Sequence, residues 1–100
     1  MPVPPPVGLS AHNLAEQWRN GSIAVIDVRE PMEFVGAHIP GSCNVPLGRL
    51  ATADLPTTPF VLVCQSGARS ERGLVLLQRR GLSQPLFQLE GGLMAWQQAG

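Results

Sequence analysis

One hundred residues, 44% of them hydrophobic and 14% charged, fit a single globular domain, with seven arginines balancing seven acids and no lysine. A mean hydropathy of +0.09 excludes wholesale disorder. The neutral balance and the lack of a basic run leave no electrostatic footprint for nucleic acid or an anionic membrane, and no apolar stretch approaches the ~20 residues of a membrane span.

Residues 1–7 are mostly proline and valine and are read as a flexible tail ahead of one domain at 8–100, with Val7–Leu9 also fitting a short edge strand. The Pro-x-x-Pro match at Pro2–Pro5 is read as part of a solvated tail rather than an SH3-type ligand. Ser10 suits a helix N-cap, Ala11, Leu14, Ala15 and Trp18 recur at helical spacing, and Asn20-Gly21 closes that helix. Ile23–Val28 is a β-branched run without alternation, as expected of a strand buried on both faces. Pro31 suits the first turn of a short helix over Glu30–Ala37, Pro40-Gly41 signals a turn, Cys43–Val45 a short strand, and Leu47–Leu55 a weak helix.

Phe60–Cys64 is the second strong strand, and a helix follows from about Arg69 to Arg80, ended by Gly81. Pro85–Leu89 reads as a strand, Glu90-Gly91-Gly92 as a turn and Leu93–Ala99 as a last helix anchored by Trp96. Strands alternating with helices predict an α/β fold with a parallel sheet covered on both faces. Ligands of such sheets bind beyond the carboxyl ends of the strands, where Cys64 falls.

Two cysteines, Cys43 and Cys64, are too few for a disulfide framework, and they point to a reducing, cytoplasmic compartment. No charged n-region precedes an apolar h-region, so a secretory signal is not expected. No metal site or cofactor motif is present in the spacing, which directs attention to one short loop.

That loop is Cys64-Gln65-Ser66-Gly67-Ala68-Arg69-Ser70. A thiol at the end of a buried strand, just before a helix, faces the helix's positive end, and the loop N–H groups can turn inward as an anion nest. Gly67 supplies the positive φ that a tight loop needs. These dipoles and the Arg69 guanidinium are expected to depress the Cys64 pKa, and the thiolate is the nucleophilic form. Arg69 is read equally as an electrostatic partner of the loop or as a helix-start residue that braces it through hydrogen bonds, since a cation at a helix start calls for a specific partner. Cysteine phosphatases wrap a phosphate in Cys-x5-Arg, whereas Arg69 gives Cys-x4-Arg, a smaller cradle that suits a lone sulfur atom better. The loop is expected to leave the thiol open to solvent.

With Asp27-Val28-Arg29-Glu30, with Gly36-Ala37-His38-Ile39-Pro40-Gly41-Ser42 and Asn44-Val45-Pro46-Leu47, with the Cys64–Ser70 loop and with Leu89-Glu90-Gly91-Gly92 before Ala95-Trp96, the chain resembles a single-domain rhodanese over Leu9 to Gly100. The resemblance implies a three-layer fold around a five-stranded parallel sheet. It also implies sulfur transfer in two half-reactions: Cys64 takes sulfane sulfur from thiosulfate or another donor and yields it to cyanide or a thiol. Gln65, Ser66, Gly67, Ala68, Arg69 and Ser70 would then bind the persulfide. Glu33 stands near where some mammalian thiosulfate-using members carry an arginine, and Ser66 where they carry a lysine. Losing both cations weakens the expected hold on a dianion.

Several tempting residues take structural readings. Asp27 and Arg29 are expected to pair and fix the Pro31 turn, Glu90 to order the Gly91-Gly92 turn, His38 to be a satisfied turn histidine, and His12 to face solvent. Cys43 is read as a small buried hydrophobe rather than a resolving thiol, so alkylation is expected to favour Cys64 strongly. Gly73 costs roughly 1 kcal/mol relative to alanine within a helix, which predicts a close helix–sheet contact. Trp18, Leu74, Leu77 and Trp96 are expected to be core. Two alternatives to an enzyme acting on small donors and acceptors remain: a sulfur-carrying interaction module that hands a persulfide to a partner protein, and a phosphatase or arsenate reductase.

Overall fold

The computed structural model describes residues 7–100, so the tail reading for residues 1–6 lies outside the described residues. The chain runs β1 (Val7–Leu9), α1 (Ala11–Arg19), β2 (Ala24–Asp27), α2 (Pro31–Gly36), β3 (Cys43–Asn44), β4 (Phe60–Val63), α3 (Ala68–Arg80), β5 (Leu86–Leu89) and α4 (Gly92–Gln98). All five strands are parallel, in the order β1-β5-β4-β2-β3. Ser10 caps α1 by accepting the Asn13 N–H, Asn20 ends that helix, and Gly81 ends α3, as their sequence positions predict.

The unbroken apolar runs of β2 and β4 divide between two cores by the period-2 alternation of strand side chains. Val25, Val61, Val63 and Leu89 join Leu14, Ile39 and Leu93 on one face, with Trp18 and Trp96 packed against them. Ile26, Val28, Phe60, Leu62, Cys64 and Leu86 join Leu50, Leu74 and Leu77 on the other, under α3. Helices α1 and α4 cover the first face and α3 the second, giving three layers around the sheet. The two tryptophan rings meet edge to face with centroids 5.4 Å apart, and the Trp18 indole N–H donates to the Pro40 carbonyl at 2.8 Å.

Two expectations need correction. Leu47–Leu55 holds one 3-10 turn, Leu47–Arg49, rather than a helix. Gly48 weakens helix propagation there, and one turn already buries Leu50 completely. Cys43 is exposed, because β3 is a two-residue strand at the edge of the sheet, paired on one side only. The Gly73 expectation holds: an added Cβ would lie 2.9 Å from Leu62 Cδ1 and 3.0 Å from Leu50 Cδ2.

Candidate active site

Strand β4 is central, and its end delivers Cys64 to the carboxyl edge of the sheet, where the Val28 N–H donates to the Val63 carbonyl at 2.9 Å. The chain then turns through Gly67, whose φ of 115° is a left-handed conformation that residues with a Cβ seldom adopt, and enters α3 at Ala68. This turn folds two backbone N–H groups onto Cys64 Sγ, those of Gly67 at 3.0 Å and Ser70 at 3.3 Å, with Ser70 Oγ 3.6 Å away. Burial pushes the thiol pKa up and is the largest single influence. The Ser70 hydroxyl and the Ser70, Gly67 and Ser66 amides together outweigh it and hold the pKa below its ordinary value.

Ser70 is completely buried, and its hydroxyl lies within 2.9 Å of the Gly67 carbonyl and 3.1 Å of Gln88 Oε1 as well as beside the sulfur. A hydroxyl has one proton, so ionising the thiol lets it swing from an oxygen acceptor to Sγ. The loop is braced from outside by α4. The Leu93 and Met94 N–H groups donate to the Cys64 and Gln65 carbonyls at 2.8 and 3.2 Å. Gly92, with φ 63°, approaches so closely that a Cβ there would lie 2.5 Å from both carbonyl oxygens.

The remaining loop residues divide by role. The Gln65 side chain accepts from Arg29 Nη1 at 3.4 Å, while Ser66 and Ala68 form an exposed rim. Arg29 is buried and forks onto Asp27, with Nε 3.0 Å from Oδ1 and Nη2 2.9 Å from Oδ2, and Nη2 also donates to the Ala37 carbonyl. The expected structural pairing is therefore present, and Asn44 ties it to β3 by donating to the Asp27 and Arg29 carbonyls.

Of the two readings of Arg69, the specific partner that a cation at a helix start calls for is present. The Arg69 guanidinium binds Glu33 of α2 through both nitrogens, at 2.6 and 3.0 Å. Glu33 raises the Arg69 pKa first, and Cys64 adds only a lesser attraction. The thiol is therefore tuned mainly by hydrogen bonds rather than by a nearby free cation. Within the loop, the Gly67 and Ser70 amides lie nearest the sulfur, and the Ser66 amide also favours its charge.

Cys64 is also 1% exposed, against the expectation of a thiol open to solvent. With Cys43 exposed, accessibility no longer favours Cys64 in alkylation, and the expected contrast rests on the lowered Cys64 pKa alone. Cys43 pairs with Ile26, whereas Cys64 follows β4 on the other side of β2, so two strand spacings, about 10 Å, separate them, beyond disulfide reach. His38 is exposed, stacks on Phe34 and sets Nδ1 2.6 Å from the Phe34 carbonyl, and His12 is exposed beside Glu16. Glu90 lies across Gly8 of β1 instead of on its own turn. Sequence reasoning missed Gln88 as a partner of Ser70, Glu33 as the partner of Arg69, and the bracing by Gly92. The glycine pair after β5 was the one local signal for any of them.

Fold and cysteine loop define a class, and the chain belongs to the rhodanese-like domain family, whose model matches residues 10–99. It is 40% identical over 97 residues to an uncharacterized protein of Synechocystis sp., covering 94% of this chain and 54% of that protein, so it spans about half of that relative. It is 30% identical over 95 residues to the thiosulfate sulfurtransferase GlpE of Shewanella oneidensis, covering 91% and 92% of the two chains. The crystal structure of a rhodanese-related protein from Thermoplasma volcanium superposes with a TM-score of 0.81 at 28% identity, over 93% of this chain and 92% of that one. Among the described residues, no helix is long and apolar enough to cross a membrane.

Proposed function

We propose that this protein is a sulfurtransferase that carries sulfane sulfur on Cys64. The observation that supports this best is the pair of amides on Sγ, from Gly67 at 3.0 Å and Ser70 at 3.3 Å, because a preorganised nest for one anionic sulfur suits both the thiolate and its persulfide. In the first half-reaction the thiolate attacks the outer sulfur of the donor. The Sγ–S bond forms, the donor's S–S bond breaks, and its electron pair leaves with sulfite when thiosulfate is the donor. In the second, cyanide or a thiol attacks the outer sulfur, and the electron pair of the Sγ–S bond returns to Cys64 as thiolate. Ser66, Gly67 and Ser70 stabilise the sulfur, Gln65 and Ala68 shape the loop, and Arg69 braces it against α2. The relationship to GlpE argues for the same reaction class. Phosphoryl transfer fits poorly, since the short loop leaves Arg69 engaged with Glu33 rather than facing a tetrahedral oxyanion.

Exposure to thiosulfate, or to another sulfane donor, is expected to add about 32 Da to the intact protein, the mass of the one sulfur atom that covalent catalysis places on the nucleophile. Cys64→Ser is expected to lose the adduct. A wild-type protein that no sulfane donor modifies would overturn the proposal. Loading without turnover on cyanide, together with transfer to a protein acceptor, would instead favour the carrier-module reading.

A further inference from the structure

The charges around the loop cancel in pairs. Two guanidinium groups touch or belong to it, and each is matched by a carboxylate, Arg29 by Asp27 in the interior and Arg69 by Glu33 at the mouth. The second pair is accessible to a dissolved donor, with side chains 29% and 36% exposed. Glu33 is itself oriented from behind, because its Oε1 accepts the Glu30 N–H at 3.1 Å at the start of α2. Both its oxygens are then presented to both Arg69 nitrogens, a forked geometry that fixes the guanidinium more firmly than a single contact. Among the described residues the loop itself brings no replacement cation: Ser66, Gly67 and Ala68 are uncharged, α2 presents exposed Met32 and Val35 beside Glu33, and the next guanidinium on α3, that of Arg72, lies a turn beyond Arg69.

We infer that Glu33 is a specificity-determining residue that withholds Arg69 from the substrate and so selects sulfane donors bearing at most one negative charge over dianionic thiosulfate. The inference rests on the sulfur-transfer reading. A thiolate attacking a dianion meets repulsion that a free guanidinium a few ångströms away would offset, and a guanidinium already forked onto a carboxylate is a neutral pair instead. The loop dipoles on their own suit one negative charge on sulfur, which is what the thiolate and the persulfide carry. Thiosulfate and methanethiosulfonate probe this directly, since both offer the same transferable sulfur but differ by one charge. From methanethiosulfonate the thiolate takes the outer sulfur, the S–S bond breaks, and methanesulfinate leaves with the electron pair.

The experiment measures kcat and KM for both donors with cyanide as acceptor, for wild type, Glu33→Gln, Arg69→Gln and the double variant, at low and high ionic strength. Wild type is expected to favour methanethiosulfonate. Glu33→Gln is expected to raise kcat/KM for thiosulfate about tenfold, mainly through KM, and to change methanethiosulfonate several-fold less, with the gain fading at high salt as a screened charge must. The double variant is expected to lose the gain. Arg69→Gln alone leaves Glu33 an unpaired carboxylate at the mouth, so it is expected to lower kcat/KM for thiosulfate several-fold more than for methanethiosulfonate, and the test does not depend on one variant folding. An unchanged donor ratio in Glu33→Gln, an equal loss for both donors in Glu33→Gln, or a double variant whose donor ratio falls well below that of wild type would overturn the inference and leave Glu33 a plain brace. If wild type takes sulfur from neither donor and its mass stays unchanged, sulfur transfer itself fails, and the inference with it.

Discussion

Sγ of Cys64 is balanced between opposing influences, since the interior disfavours its charge while four hydrogen-bonding groups favour it. The balance leaves the pKa lowered, so the thiolate persists to lower pH than in a free cysteine. Ser70 is the residue to perturb, because its hydroxyl and its amide both contribute and only the hydroxyl can be deleted. In Ser70→Ala the midpoint of the pH profile for sulfur loading is expected to move upward, toward the ordinary thiol value. Gln88 Oε1, on a half-buried side chain, would also lose its partner, costing about 1 kcal/mol, readable as a lower urea midpoint. An unmoved pH midpoint would leave Ser70 with a packing role alone. At this scale the sequence pointed to Cys64, its loop and the special place of Gly67, all within seven consecutive residues. It did not show Glu33 beside Arg69, 36 positions away, nor Gln88 beside Ser70, 18 positions away, because no local periodicity reports a contact made by folding.

Elements were legible to the extent that burial is symmetric. Strands β2 and β4 lie inside the sheet with both faces covered, so their continuous apolar runs declared them, and α3 announced itself by the Gly81 that ends it. Edge and connecting segments were harder. The exposure of Cys43 depends on what lies outside β3, and the single turn at Leu47–Arg49 depends on how early Leu50 finds its pocket. The junction of β5 with α4 carries a sharper consequence. Gly92 combines a left-handed backbone with carbonyl oxygens 2.5 Å from where a Cβ would sit. Gly92→Ala is expected to destabilise the protein by about 2–4 kcal/mol through strain and overpacking, and to lower sulfur loading even in the fraction that stays folded. Thermal melting and intact mass read the two effects separately, and a variant with wild-type values in both would refute the bracing role.

For the molecule as a whole, the Arg69–Glu33 pair ties α2 to α3 across the mouth of the loop. The Arg69 guanidinium and the Glu30 N–H hold the Glu33 carboxyl at about 2, below its ordinary 4.5. A carboxylate whose pKa is lowered by folding stabilises the native state fully above its unfolded value, and that contribution disappears as the pH falls through the folded value. Stability is therefore expected to decline between pH about 4.5 and about 2, and Glu33→Gln to flatten that part of the curve. The size stays within about 1 kcal/mol, because both side chains face water and are screened. Urea titrations of both proteins across the window check this, and parallel curves would mean that the pair contributes nothing to folding.

The backbone contacts from Leu93 and Met94 to the Cys64 and Gln65 carbonyls also carry a consequence for biosynthesis. Cys64 is translated about thirty residues before the helix that steadies its loop, so a nascent chain presents this cysteine before its carbonyl has a partner. The cradle around Sγ is thus completed only when α4 docks, and the order of synthesis places that docking after β4 and α3 are already made.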